Sequence, residues 1–303
     1  MVIVLEYAAK PSWPNPMSLF VLLVASAAAS ATPLGTSFCD PTTGWKHAWG
    51  DEFDGTTLDS TSWVKDVRGP GDSRTRDAAA VAENVHVSNG SLIIRSDATW
   101  AGGKWQNLTS GAVQSQGLRS FLGPARVCVR AKLPGGEGGG AGIWPAHWLM
   151  PDDTSCWPCH GEIDIMEMVN GDGVLHGTYH WCLNSTCGEA AHKQRAGDTM
   201  LPPEWADEWH EFAVEYSASH VHFILDGRAY KNNSRADGLL LWATPYYVIL
   251  NTAVGGPWPK PPGKDTKFPA YHYVDYVRVA QPSTSSRSGA ALVHSEVERM
   301  PAF

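Results

Sequence analysis

Residues 83–96, ENVHVSNGSLIIRS, set two runs rich in Val, Ile and Leu on either side of Asn89-Gly90. A two-residue Asn-Gly link between such runs is a strong hairpin signal, because both turn positions need positive φ. Similar segments recur along the chain. ARVCVRAKLP (125–134) and YYVILNTAVGG (246–256) are further short apolar runs, and VHFILDGRAY (221–230) places Asp226-Gly227 at a second tight turn. No segment keeps a helical apolar period over three turns. Many short strands separated by Gly, Pro, Asn and Asp predict an all-β sandwich or jelly roll. No internal repeat is present.

The 303 residues, 43% hydrophobic and 18% charged, suit one large folded sandwich. Net charge is −8 and no long basic run occurs, which argues against nucleic acid or an anionic membrane as partner. Fourteen Trp are present, several beside Gly or Pro. Core packing and display at a binding surface compete for them.

The N-terminus reads as a secretion signal. SLFVLLVASAAASA (18–31) is a short apolar run ending in the small-residue pattern Ala29-Ser30-Ala31. It is shorter than a bilayer span. Met17 directly precedes it and is a candidate start of translation. Residues 1–31 are therefore expected to be removed, leaving a secreted chain without a membrane anchor. Six cysteines (39, 128, 156, 159, 182, 187) fit an oxidising compartment. Their pairing is open, although a bridge between Cys182 and Cys187 around the short LNST loop is one expectation, and CWPC (156–159) reads as bridged rather than redox-active. Sequons begin at Asn89, Asn107, Asn184 and Asn232, so surface glycosylation is expected. Residues 281–303 lack strand alternation and are expected to form a flexible tail.

Within GEIDIMEMV (161–169), Glu162, Asp164 and Glu167 crowd three acids into six positions. On a helix they would scatter, with Glu162 and Asp164 about 200° apart and Glu162 and Glu167 about 140° apart. On a regular strand Glu162 and Asp164 share one face, but Glu167 falls on the face of Ile163 and Ile165. One extra residue, a β-bulge around Ile165 and Met166, returns Glu167 to the other acids. Close carboxylates repel, so one holds a proton while another ionises. A protonated acid beside an ionised nucleophile is what retaining glycoside hydrolysis needs. Two other readings stay open at this point: a hard-cation site with His160 as a further ligand, and an acidic strand face without a task.

GEIDIMEMVNG resembles the catalytic signature of glycoside hydrolase family 16 in its bulged, laminarinase-like form, Glu-x-Asp-x-x-Glu. WGDEFDGTTLDSTSW (49–63), LTSGAVQSQ (108–116), LPGGEGGGAGIWPAHWLM (133–150), HGTYHW (176–181), YYVILNTAVGGPWPKPP (246–262) and FPAYHYVDYVRV (268–279) follow the family's order, so the resemblance spans roughly residues 41–280 within an expected domain of 32–280. It implies a concanavalin A-like jelly-roll β-sandwich with a concave substrate cleft. Glu162 would be the nucleophile, Glu167 the acid/base and Asp164 the assistant of Glu162. Trp144, Trp148, His180, Asn84 and Trp258 would bind substrate. No cofactor is required for catalysis, but a structural calcium is implied, with Asp275 and the Gly90 carbonyl as ligands. The substrate implied is β-glucan, cut inside the chain at β-1,3 linkages and also in mixed β-1,3/1,4 polymers, by a monomer. Agarases and carrageenases share the bulge. A transglycosylase and a non-hydrolytic glucan-binding protein of the same fold are the alternatives. The cysteines directly before the catalytic strand depart from many relatives and are expected to shape the cleft edge.

Overall fold

The computed structural model describes residues 36–283, apart from 137–138, 184–185 and 238–243. The expected signal segment, the sequon at Asn184 and the chain after residue 283 lie outside the described residues.

The expected tight turns form as their sequences require. Ser88 pairs with Ser91 across Asn89-Gly90, whose φ values are 53° and 71°. Leu225 pairs with Arg228 across Asp226-Gly227, at 48° and 73°. Both are two-residue turns with positive φ throughout, the geometry that matches strand twist.

Two sheets result. One runs, in spatial order, through strands His192–Met200, Val174–Cys182, Glu162–Glu167, Ile143–Pro151, Pro245–Val254, Ala112–Gln114 and Val64–Lys65. The other runs through Arg228–Ser234, His220–Leu225, His210–Tyr216, Ala125–Lys132, Ala270–Pro282, Ser91–Ala101, Lys104–Ser110 and Ala79–Ala80. Nearly all pairings are antiparallel, and neighbours such as Ala125–Lys132 beside Ala270–Pro282 are far apart in sequence. The architecture is a jelly-roll sandwich. The last strand pairs Pro282 with Trp45 and Gln281 with Lys46, so residues 281 and 282, expected outside the domain, belong to the sheet.

The apolar faces meet between the sheets. Leu149, Ile163, Ile165, Val248 and Leu250 from one pack with Val127, Val129, Phe212, Val214, Val277 and Val279 from the other. Burial at roughly 25 cal/mol per Å2 of apolar surface makes this layer the main source of stability. One polar pair crosses it: His147 and His272, both fully buried, place their Nε2 atoms 2.9 Å apart. Burial pushes both imidazoles down, His272 to about 3.

The bridges are Cys39–Cys128, Cys156–Cys187 and Cys159–Cys182. The expected Cys182–Cys187 bridge does not form. Antiparallel pairing of Glu162 with His180 brings the start of one strand to the end of the next, so Cys159 meets Cys182 and Cys156 is left to Cys187. CWPC is bridged, as expected, to residues outside itself.

Candidate active site

The Glu162–Glu167 strand carries the bulge. Glu162, Asp164 and Glu167 stand opposite His180, Thr178 and His176, so three residues of one strand span two of its neighbour between Asp164 and Glu167. On the other side Met166 pairs with His147 and Asp164 with Trp148, leaving Ile165 as the extra residue. Ile163, Ile165 and Met166 are buried in the core, and the acids share the opposite face. Gly161 lets the chain enter this strand tightly. Its φ is 88°, and a Cβ there would lie 2.2 Å from the Tyr246 hydroxyl.

The acids form the floor of a cleft of about 580 Å3. Trp144, Ala146, Trp148 and Met150 line it from one neighbouring strand, and Tyr247, Asn251 and Ala253 from the next. Arg68, Arg74 and Arg76 come from a wall loop. Asp66 binds the first two arginines, at 2.7 and 2.9 Å. Arg76, at φ 57°, holds its guanidinium 5.0 Å from the Trp144 ring.

Each catalytic candidate has a placed partner. Trp157 Nε1 donates to Glu162 Oε2 at 2.5 Å, and Trp144 Nε1 donates to Glu167 Oε1 at 3.1 Å. His180 Nε2 lies 2.7 Å from Asp164 Oδ2, while its Nδ1 lies 2.7 Å from His192 Nε2. Burial pushes the Glu162 carboxyl up to about 8, with repulsion from Asp164 as the second cause. Burial also raises Asp164 to about 7, against the hydrogen bond it receives from Glu162. Glu167 is held well above its ordinary value, by burial first and then by the Asp164 charge. The floor therefore retains protons at neutral pH, which equips it for acid catalysis.

Trp148 donates through Nε1 to Asn251 Oδ1 at 2.6 Å and keeps part of its ring in the cleft. Trp258 packs edge-on against Trp144 at 5.1 Å and remains 41% exposed beside it. Asn84 departs from expectation. It is 5% exposed, outside the cleft lining, and donates to Thr109 Oγ1 at 3.0 Å, because the turn before Val85–Ser88 folds it inward. His160 also turns away, toward the carbonyl of Asp153 at 3.1 Å. Asp275, expected as a calcium ligand, accepts at Oδ2 from Arg130 Nη1 at 2.7 Å.

Trp157, Asn251, His192 and the arginine wall are the members that sequence reading did not single out. Only Trp157 had a signal, lying between two cysteines directly before the catalytic strand.

Acidic side chains gathered on a sheet beneath tryptophan walls define a glycoside hydrolase. The chain belongs to glycosyl hydrolases family 16, whose sequence profile matches residues 75–277. Beta-glucanase of Rhodothermus marinus is 34% identical over 264 residues, covering 81% of this chain and 88% of that one. Glucan endo-1,3-beta-glucosidase A1 of Niallia circulans is 30% identical over 81% of this chain, which spans 39% of that longer protein. The catalytic domain of an endo-1,3-beta-glucanase (laminarinase) from Thermotoga petrophila superposes with a TM-score of 0.68 at 30% identity, covering 79% of this chain and 99% of that one.

Proposed function

We propose that this chain is a secreted, retaining endo-β-1,3-glucanase that also accepts mixed β-1,3/1,4-glucan. One observation carries the reading: the bulge puts Glu162 and Glu167 on the same side of one strand, flanking Asp164 at the cleft floor. With its shared proton passed to Asp164, Glu162 attacks the anomeric carbon as a carboxylate while Glu167 protonates the departing glycosidic oxygen. The bond between sugar and leaving chain breaks, and a glycosyl ester forms on Glu162. Glu167, now a carboxylate, takes a proton from water, which attacks the ester and regenerates both groups. Trp157 stabilises the ionised Glu162 through its indole N–H. Asp164, held by His180, exchanges a hydrogen bond with Glu162 and so sets which of the two carries the proton. Trp144 and Trp148 offer ring faces to the apolar sides of sugars. Three disulfides suit an oxidising extracellular setting. The named relatives support the choice of linkage.

The test is reducing-end release from laminarin and from mixed-linkage glucan, with Glu162→Gln as control. Release by the wild type and none by the variant is the expected result. Products longer than the substrate would indicate glycosyl transfer instead. A folded wild type that binds laminarin and releases nothing would overturn the reading.

A further inference from the structure

We propose a transition-metal site on the outer face of the sheet opposite the cleft, built by Glu215, His220 and His222 and suited to zinc. Glu215 and His222 are directly paired across strands His210–Tyr216 and His220–Leu225. His220 lies two positions before His222, so all three project to one side. The alternate residues Val221 and Phe223 enter the core, which fixes that side as the outer one. One ligand atom from each residue lies within 4.8 Å of the other two.

The spacing suits a small four-coordinate ion. His220 Nε2 stands 3.2 Å from Glu215 Oε1. Two ligands of a tetrahedral zinc, bonded at 2.0–2.1 Å, lie about 3.3 Å apart. The His220 and His222 rings stack with centroids 4.2 Å apart, which keeps the two imidazoles side by side. His220 is also held from behind. Its Nδ1 meets Ser217 Oγ at 3.0 Å and Ser219 Oγ at 3.1 Å. Without metal Nε2 faces Glu215 Oε1; on metal binding Nδ1–H donates to these hydroxyls and Nε2 takes the ion, the outer-shell arrangement typical of ligating histidines.

The neighbours select the ion class. Arg126 Nε occupies Glu215 Oε2 at 2.7 Å, leaving Oε1 as the single oxygen on offer. Calcium and magnesium need several oxygens, more than this site offers. A site of two imidazoles and one oxygen matches zinc, copper or nickel. Solvent supplies the fourth ligand, since none of the three residues is fully buried. The site ties the Ser217–Ser219 turn to the sheet and shares no residue with the cleft, so its role is structural.

The full chain, stripped of metal, is titrated with Zn2+ by calorimetry and with Co2+ by visible absorption. One equivalent should bind, with d–d bands of a four- or five-coordinate Co2+ and a raised melting temperature. His222→Ala should weaken binding by about 100-fold or more while laminarin hydrolysis is unchanged. His222→Gln, closer in volume, gives the same reading should the Ala variant not melt cooperatively. Because Glu162, Asp164 and His180 also approach one another within 4.8 Å, His180→Ala is the control. Binding that survives His222→Ala, whether or not His180→Ala removes it, overturns the proposal. So does the absence of binding of either metal at a large excess over protein.

Discussion

Replacing Glu162 by Gln should remove activity and raise stability, and the gain should depend on pH in a defined direction. Burial and Asp164 lift the folded-state pKa of Glu162 from 4.5 to about 8. A group whose pKa is raised by folding stabilises fully below its unfolded value and loses that contribution as pH rises through the folded value. The unfavourable term is therefore small at pH 4. It is about 1 kcal/mol at pH 5 and about 3 kcal/mol at pH 7, from 1.36 kcal/mol per unit. Because part of Glu162 faces the wet cleft, solvent screening makes these upper values. The Gln amide keeps an acceptor for Trp157 and a donor for Asp164, so it mimics the protonated acid without the titration. At about 2 °C per kcal/mol for a domain of this size, the variant should melt up to about 6 °C above wild type at pH 7. The difference should shrink toward zero near pH 4. Thermal melts of both proteins across pH 4–8, with laminarin assays alongside, read it directly. A stability difference that is constant with pH, or a variant less stable at pH 7 than at pH 4 relative to wild type, would refute the reasoning.

Other consequences can be measured with similar means. Glu167→Gln should lower kcat on laminarin by about 100- to 10,000-fold, and far less on substrates whose leaving group needs no proton, read by steady-state kinetics. Trp144→Phe removes a hydrogen bond that lowers the Glu167 pKa, so the alkaline limb of kcat/KM should move to higher pH. Opening the 23-residue loop with Cys159→Ser should cost roughly 3 kcal/mol by loop entropy and loosen Trp157, seen as a lower Tm together with a lower kcat. His147 and His272 are neutral when folded, with depressed pKa values, so their contribution is complete above about pH 6.5 and falls below it. For His272 the loss should reach about 2 kcal/mol at pH 5, and His272→Gln should reduce the fall in Tm between pH 6.5 and 5.

What the sequence by itself determined rests on local rules. Asn89-Gly90 and Asp226-Gly227 could only be tight hairpin turns, because few other pairs adopt positive φ twice in succession. The 2-then-3 spacing of Glu162, Asp164 and Glu167 required a bulge, since strand alternation has a period of two and a buried lone carboxylate is costly. Pairings distant in sequence were not legible in the same way. That Cys159 meets Cys182 rather than Cys187 meeting Cys182 follows from which strands become neighbours, and six cysteines alone permit fifteen patterns. Asn84 carries no sequence mark that separates an inward turn from a cleft position. Trp157 and Asn251 join the site only because chain entry at Gly161 and the Pro245–Val254 strand bring them beside Glu162 and Trp148. The strand alphabet and the catalytic face are written in residues a few positions apart. The cleft walls, the bridges and the outer Glu215–His220–His222 group depend on contacts across strands, whose register is decided by how two whole sheets bury their apolar faces.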